Sequence, residues 1–382
     1  MTNRKSLAMV IPMLLAASNG VNALEVFHKH GNKLELYGSI NPNHKLNHSF
    51  LANKITSHKD DTNAILGLSG EVNITDELFS YATIEYGIDL SVPEQLLDKQ
   101  QPNNLRLGYA GFKYGNWGSI DYGRNYGVLH DVQALTNRSP YINKDSIFSY
   151  NDNYMTGRSN SLLTYKNDDI FGLIDGMSFI LQYQDQSENR AQNQTNGPGW
   201  GISIKYETDV GLTAIGSCFS SQRFQSDKSN QDNKLTPAVG AYGLGFKYDA
   251  NDIYIAAFYG EGRNLTPSLN ILSDNNASKD QPYINKTQNI EAIAEYNFHS
   301  GFHPSLSYLD SKGQNLNIKD ATTVPKNLEL AKQINISTRY EFNKNISTYM
   351  NYTINLLKSD NVIKEQNIPT DNTIGAGIVY HF

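Results

Sequence analysis

Between Gly118 and Arg158 the chain gathers side chains that can act on a passing solute without making or breaking a bond. Five tyrosines, Tyr122, Tyr126, Tyr141, Tyr150 and Tyr154, are interleaved with Arg124, Arg138, Lys144 and Arg158. Ring faces and fixed positive charge select by stacking and by field, and the stretch is too aromatic for an unfolded segment. Groups for covalent or metal chemistry are absent from the sequence. There is no GxSxG and no phosphate-cradling glycine loop, and His28, His30, His44, His48, His58 and His130 read as loop or turn residues, not as a metal set. Cys218 is the only cysteine, which excludes an intramolecular disulfide, and it has no placed histidine partner. Neither a cofactor nor a metal is expected, and no enzyme activity.

The stretch opens as a short strand, Ser119-Ile120-Asp121-Tyr122. It breaks at Gly123-Arg124-Asn125-Tyr126-Gly127 into a long segment with no apolar period. A loop of that length inside a compact domain is usually functional or disordered, and its composition argues against disorder. The expectation is that it folds inward, into the mouth of a barrel made by everything else. A surface excursion is the plainer alternative.

Alternation supplies the barrel. From Ile346 to Leu356 the even positions read Ile, Thr, Met, Tyr, Ile, Leu and the odd ones Ser, Tyr, Asn, Thr, Asn. Gln333–Phe342 and Asn289–Phe298 do the same. The period returns at Lys33–Ile40, Asn63–Asn73, Tyr81–Leu90, Leu105–Phe112, Met177–Gln184, Trp200–Glu207, Leu212–Phe219, Ala241–Tyr248 and Ile253–Tyr259. Short turns such as Thr75-Asp76-Glu77 and Asn343-Lys344-Asn345 alternate with long polar stretches such as Asp185–Pro198 and Asn264–Pro282. Short turns at one end, long loops at the other and strands of about ten residues are the requirements of a transmembrane β-barrel. The pattern predicts an all-β fold, an antiparallel barrel of about sixteen strands, which leaves an aqueous lumen. A soluble sandwich also alternates, but here charges sit on the polar face of nearly every strand. Tyr37, Tyr86, Tyr109, Tyr206, Tyr248, Tyr259, Tyr296, Tyr340 and Tyr380 near strand ends are read as interfacial girdles.

Residues 1–23 stand apart. Arg4 and Lys5 precede an apolar run from Leu7 to Ala17, and Val21-Asn22-Ala23 ends in the small residue that signal peptidase needs. The run is too short for a membrane helix, so residues 1–23 are expected to be a cleaved signal peptide and 24–382 a single barrel domain. The chain is acidic, with a net charge of −6, a poor match to nucleic acid.

Long tracts of the chain resemble the general, trimeric porins of enterobacterial outer membranes. They include Gly31-Asn32-Lys33-Leu34-Glu35-Leu36-Tyr37-Gly38, Gly118-Ser119-Ile120-Asp121-Tyr122-Gly123-Arg124-Asn125-Tyr126-Gly127-Val128 and Phe171-Gly172-Leu173-Ile174-Asp175-Gly176. Lys247-Tyr248-Asp249-Ala250-Asn251, Phe342-Asn343-Lys344-Asn345-Ile346-Ser347-Thr348-Tyr349 and the terminal Ile378-Val379-Tyr380-His381-Phe382 continue the match. The resemblance implies a 16-stranded antiparallel transmembrane β-barrel with an inward-folded constriction loop, in the outer membrane, passing ions and small hydrophilic solutes. Its implied partners are two further copies in a homotrimer, outer-membrane lipid, and the barrel-insertion machinery, which reads a terminal aromatic, here Phe382.

In that family basic side chains on the wall face carboxylates on the loop. By resemblance Arg106 and Arg158 stand at two of the wall arginines, Ile65 replaces the third, and Ser39 sits where a lysine is usual. Arg106 falls on the polar parity, with Leu105, Leu107 and Tyr109 on the other. Ile65 is anomalous in itself, the one large apolar side chain among Asn63, Gly67, Ser69, Glu71 and Asn73. The two loop carboxylates fall on Asn137 and Tyr141, whereas Asp131 and Asp145 match loop acids. Arg138 and Lys144 add positive charge, and Glu35, Glu71, Glu85 and Glu291 are taken as distant. A cation preference weaker than the family's, or a mild anion preference, is predicted. Glu94 matches the acid that latches a neighbouring subunit, with Arg124 as one candidate partner. A sugar- or anion-specific channel using a tyrosine track, Tyr122, Tyr126 and Tyr141, is the alternative function. A barrel enzyme is a weaker one, because no strand end offers a Ser/His or Asp/His group.

Overall fold

The computed structural model describes residues 24–29, 31–49, 54–92, 104–138, 153–187, 195–223, 236–266, 283–314, 327–358 and 368–382. The strands, numbered as staves of a barrel, are β1 (Asn32–Asn41, resuming as Asn43–Ser49 after Pro42), β2 (Lys54–Asp60 and Asn63–Asn73), β3 (Leu78–Asp89), β4 (Leu105–Tyr114), β5 (Gly118–Tyr126), β6 (Arg158–Asn167), β7 (Met177–Gln184) and β8 (Gly199–Glu207). They continue as β9 (Leu212–Arg223), β10 (Thr236–Ala250), β11 (Ile253–Arg263), β12 (Lys286–Tyr296), β13 (Phe302–Gln314), β14 (Asn327–Glu341), β15 (Ile346–Asn355) and β16 (Asn372–His381). Every stave pairs antiparallel with its neighbour in sequence, and β16 returns to β1, so the sixteen staves close into a ring. Closure leaves the ring without a free sheet edge, as a wall facing hydrocarbon requires.

An additional strand, Leu24–Lys29, lies beside β1 in line with the end of β16. Leu24 pairs with Leu36, while Phe382 exchanges two backbone hydrogen bonds with Gly38 at 3.0 and 3.1 Å. Both described ends of the chain therefore meet on one stave.

Alternation along the staves decides which face is wet. On β12 Thr287, Asn289, Glu291, Ile293 and Glu295 are buried inward, whereas Ile290, Ala294 and Tyr296 are exposed outward. On β2 Leu66, Leu68 and Val72 point out, and Ile65, Gly67, Ser69 and Glu71 point in. An outward apolar band and an inward polar wall follow from the period of two.

Some expectations shift. β5 does not end at Tyr122 but continues through an irregularity between Gly123 and Asn125 to Tyr126. Tyr122 is exposed on the outward face, so it lines no lumen track. Tyr37 and Tyr109 belong to the inner wall, not to a girdle, since their neighbours Leu34, Ile40 and Phe112 take the outward positions. Tyr86, Tyr206, Tyr296, Tyr340 and Tyr380 are exposed on the outer face as expected.

Candidate functional site

After Tyr126 the chain leaves the wall and turns inward. Val128, Leu129 and Val132, with the one-turn helix α1 (His130–Gln133), pack on inward residues Ile215 and Phe219 of β9, Ala241 of β10 and Phe258 of β11. The wall makes room with glycine. A Cβ on Gly245 would come 2.7 Å from Leu135 Cδ1 and 3.1 Å from Val132, and one on Gly201 would come 2.7 Å from Val128. Leu129 N–H donates to the Met155 carbonyl at 3.0 Å and Val128 N–H to Gln182 Oε1 at 2.8 Å, fixing the root of the segment.

The far end is fastened by polar contacts. Tyr254 Oη donates to the Leu135 carbonyl at 2.7 Å, and Thr136 Oγ1 donates to Glu291 at 2.5 Å. Arg138 Nη2 reaches Glu295 at 3.0 Å with its guanidinium 4.0 Å from the Tyr254 ring centre, and Arg339 shares Glu295 at 3.5 Å. Residues 127–138 thus follow the inner wall from β5 to β12.

On the wall itself Arg106 Nε lies 2.5 Å from Glu85 Oε1, and Tyr37 Oη donates to Glu85 Oε2 at 3.1 Å. The parity argument for Arg106 fails. Leu107 and Tyr109 are the inward residues of β4, and Arg106 gains the lumen through a register shift between Glu85 and Tyr86. Glu85 and Glu291 are not distant: one neutralises the wall arginine, the other holds the loop. Ile65 does face inward, level with Ser39 and Gly87 across β1–β3. Arg158 opens β6 opposite Tyr126. Asp131 faces the lumen cavity 3.9 Å from His130, and Asn137 is exposed. Arg124 is engaged inside its own barrel, donating to the Leu105 carbonyl and to Asn160 Oδ1, both at 2.7 Å. Glu94, Tyr141, Lys144 and Asp145 lie outside the described residues.

Under the loop, towards the short turns, is a cavity of about 650 Å³. Lys33, Lys113, Lys166, Lys205 and Lys247 line it together with several carboxylates, and the last two share Glu207 at 3.2 and 3.7 Å. Glu295, Thr136 and Tyr254 are the site residues that the sequence reading missed. A signal for Tyr254 was present in Ile253–Tyr259, where apolar residues occupy both parities. A water-filled lumen leaves such an inner face in need of cover. Among the described residues no cluster of His, Cys, Asp or Glu could hold a metal.

Residues 29–382 match the family model described as Gram-negative porin. The chain belongs to the Gram-negative porin family. This porin is 64% identical over its whole length, and over the whole of the relative, to a "Porin-like protein" of Buchnera aphidicola subsp. Schizaphis graminum. Over all of both chains it is 40% identical to "Outer membrane protein F" of Serratia marcescens. The Salmonella typhi OmpF structure, solved with daunomycin, superposes with a TM-score of 0.81 at 36% identity, covering 94% of this porin and 100% of that chain. The molecule is an outer-membrane porin, a channel and not an enzyme, and the polar inner wall is the channel's lining.

Proposed function

We propose that this porin assembles as a homotrimer and that the loop from Gly127 onward forms the narrow zone of each pore. The observation that carries the reading is the loop's attachment to the inner wall, apolar along β9–β11 and ionic at β12. Arg106, Arg158, Arg138 and Asp131, with Glu85, Glu291 and Glu295, are described charged groups of that zone, Ile65, Ser39 and Asn137 are uncharged ones, and Tyr141, Lys144 and Asp145 complete it. Residues 1–23 serve as the export signal, and Glu94 latches a neighbouring subunit. Arg124, whose Nε and Nη1 are used within its own barrel, remains one candidate partner for that latch through its other N–H groups.

Sixteen hydrogen-bonded staves without a free edge resist detergent. The unheated protein is expected to migrate as an oligomer and to fall to about a third of that apparent mass on boiling. Identical migration before and after heating would count against the assembly.

Charge in the narrow zone sets ion preference, because low-dielectric walls focus the field of nearby groups. Arg106 and Arg138 each meet a carboxylate, so the zone carries less excess positive charge than its arginines suggest. Reversal potentials across a salt gradient are expected to show weak selectivity. Asn137→Asp combined with Tyr141→Glu should move the potential towards cations, and Arg106→Ala, which releases Glu85, should move it the same way by less. A native pore of strong cation selectivity that ignores the double substitution would remove the loop from the narrow zone.

A further inference from the structure

Where the loop leaves the wall, four rings gather beside the lumen. Tyr81 and Tyr109, inward neighbours on β3 and β4, meet edge to face with centroids 6.3 Å apart. Tyr126, the last residue of β5, stacks on His130, the first residue of α1, at 3.9 Å and 29°. All four line the cavity beneath the loop, so they are not closed into the loop's packing.

The charges around them are unequally used. Asp121 accepts from Tyr81 Oη and from Asn125 Nδ2, both at 2.9 Å. Arg106 is held by Glu85, and Lys166 sits 3.4 Å from Asp168. Asp131 lines the same cavity with its side chain about one-third exposed, and His130 Nδ1 at 3.9 Å is its nearest basic group among the described residues. Ring faces attract flat rings and cations, and an exposed carboxylate adds an anchor for an amine.

We propose that Tyr81, Tyr109, Tyr126 and His130, with Asp131, form a stacking subsite for solutes that combine a flat ring with a cationic amine. Such solutes are held briefly on the way through. The proposal rests on the channel reading and adds a solute class to it. A cavity of this size accommodates a molecule of ten to twenty heavy atoms and leaves a path for ions.

The test is single-channel recording of the native oligomer in a planar bilayer with three probes: phenethylamine, cyclohexylethylamine and phenylacetate. Phenethylamine is expected to interrupt the current with dwell times roughly five- to tenfold longer than either control, the scale of one ring contact. Tyr126→Leu should abolish the difference between the two amines, and Tyr126→Phe, which keeps the ring, should retain it. Asp131→Asn should shorten the phenethylamine dwell. Equal dwell times for the two amines in the native pore, or a difference that survives Tyr126→Leu, would overturn the subsite. Absence of any open-channel current would instead strike at the channel itself.

Discussion

Val132→Asp is expected to widen the pore. Val132 is fully buried in the cluster that holds the loop to the wall, above the glycine row of β10. Losing its apolar contact costs about 2 kcal/mol, and an unpaired carboxyl group in the same place costs at least about 2 more. The sum weakens docking of the loop by roughly a thousandfold. The barrel should survive, because its stability comes from stave-to-stave hydrogen bonds and the outward apolar band, neither of which uses Val132. Single-channel conductance should rise, and larger sugars should enter proteoliposomes in swelling assays. Gly245→Val offers an independent wedge, since its side chain would collide with Leu135 and Ile215, and the same direction is expected. Unchanged conductance in both variants, with normal oligomer yield, would show that the apolar cluster does not position the loop.

The second large effect is expected at the closing seam. Phe382 bonds through its backbone to Gly38 on both sides, and its ring lies over that glycine so closely that a Cβ there would fall 2.6 Å from Cζ. One role of this residue is the packed closure of β16 on β1; a second, as an aromatic signal for insertion, is proposed. Phe382→Ala keeps the backbone bonds and removes the ring. Gly38→Val keeps the ring and removes its seat. Outer-membrane yield of heat-modifiable oligomer is expected to drop about tenfold or more for Phe382→Ala, while refolding in detergent stays near native, because hydrogen bonding still closes the ring. Gly38→Val is expected to impair both. Normal cellular yield for Phe382→Ala would eliminate the signal role, and normal refolding of Gly38→Val would eliminate the packing role.

The staves were legible because one wet face and one apolar face impose a period of two, and Asn63–Asn73 and Met177–Gln184 agree in both bounds. Where the reading failed, the period itself was locally broken. A register shift beside Glu85 turns Arg106 inward against its parity, and another after Gly123 lets β5 run on to Tyr126. One extra residue on one strand reverses every assignment beyond it, and no count of alternating residues detects that. The constriction was half legible for a different reason. Residue types named the charges, but the Arg106–Glu85 and Arg138–Glu295 pairs join positions 21 and 157 residues apart, and only closure of the ring brings the second pair together.

The rib that runs inside the wall from β5 to β12 also has a mechanical side. A tube of hydrogen-bonded staves bends easily at each junction, and the bilayer squeezes it from every direction. Over this arc one continuous segment is fastened at β8, β9, β10, β11 and β12 by side chains that have no slack. Flattening the arc would have to shear that packing, so the curvature there is set by the loop's own length. The segment proposed to sieve solutes thereby also stiffens the tube, and under that proposal bore and roundness are governed by the same residues.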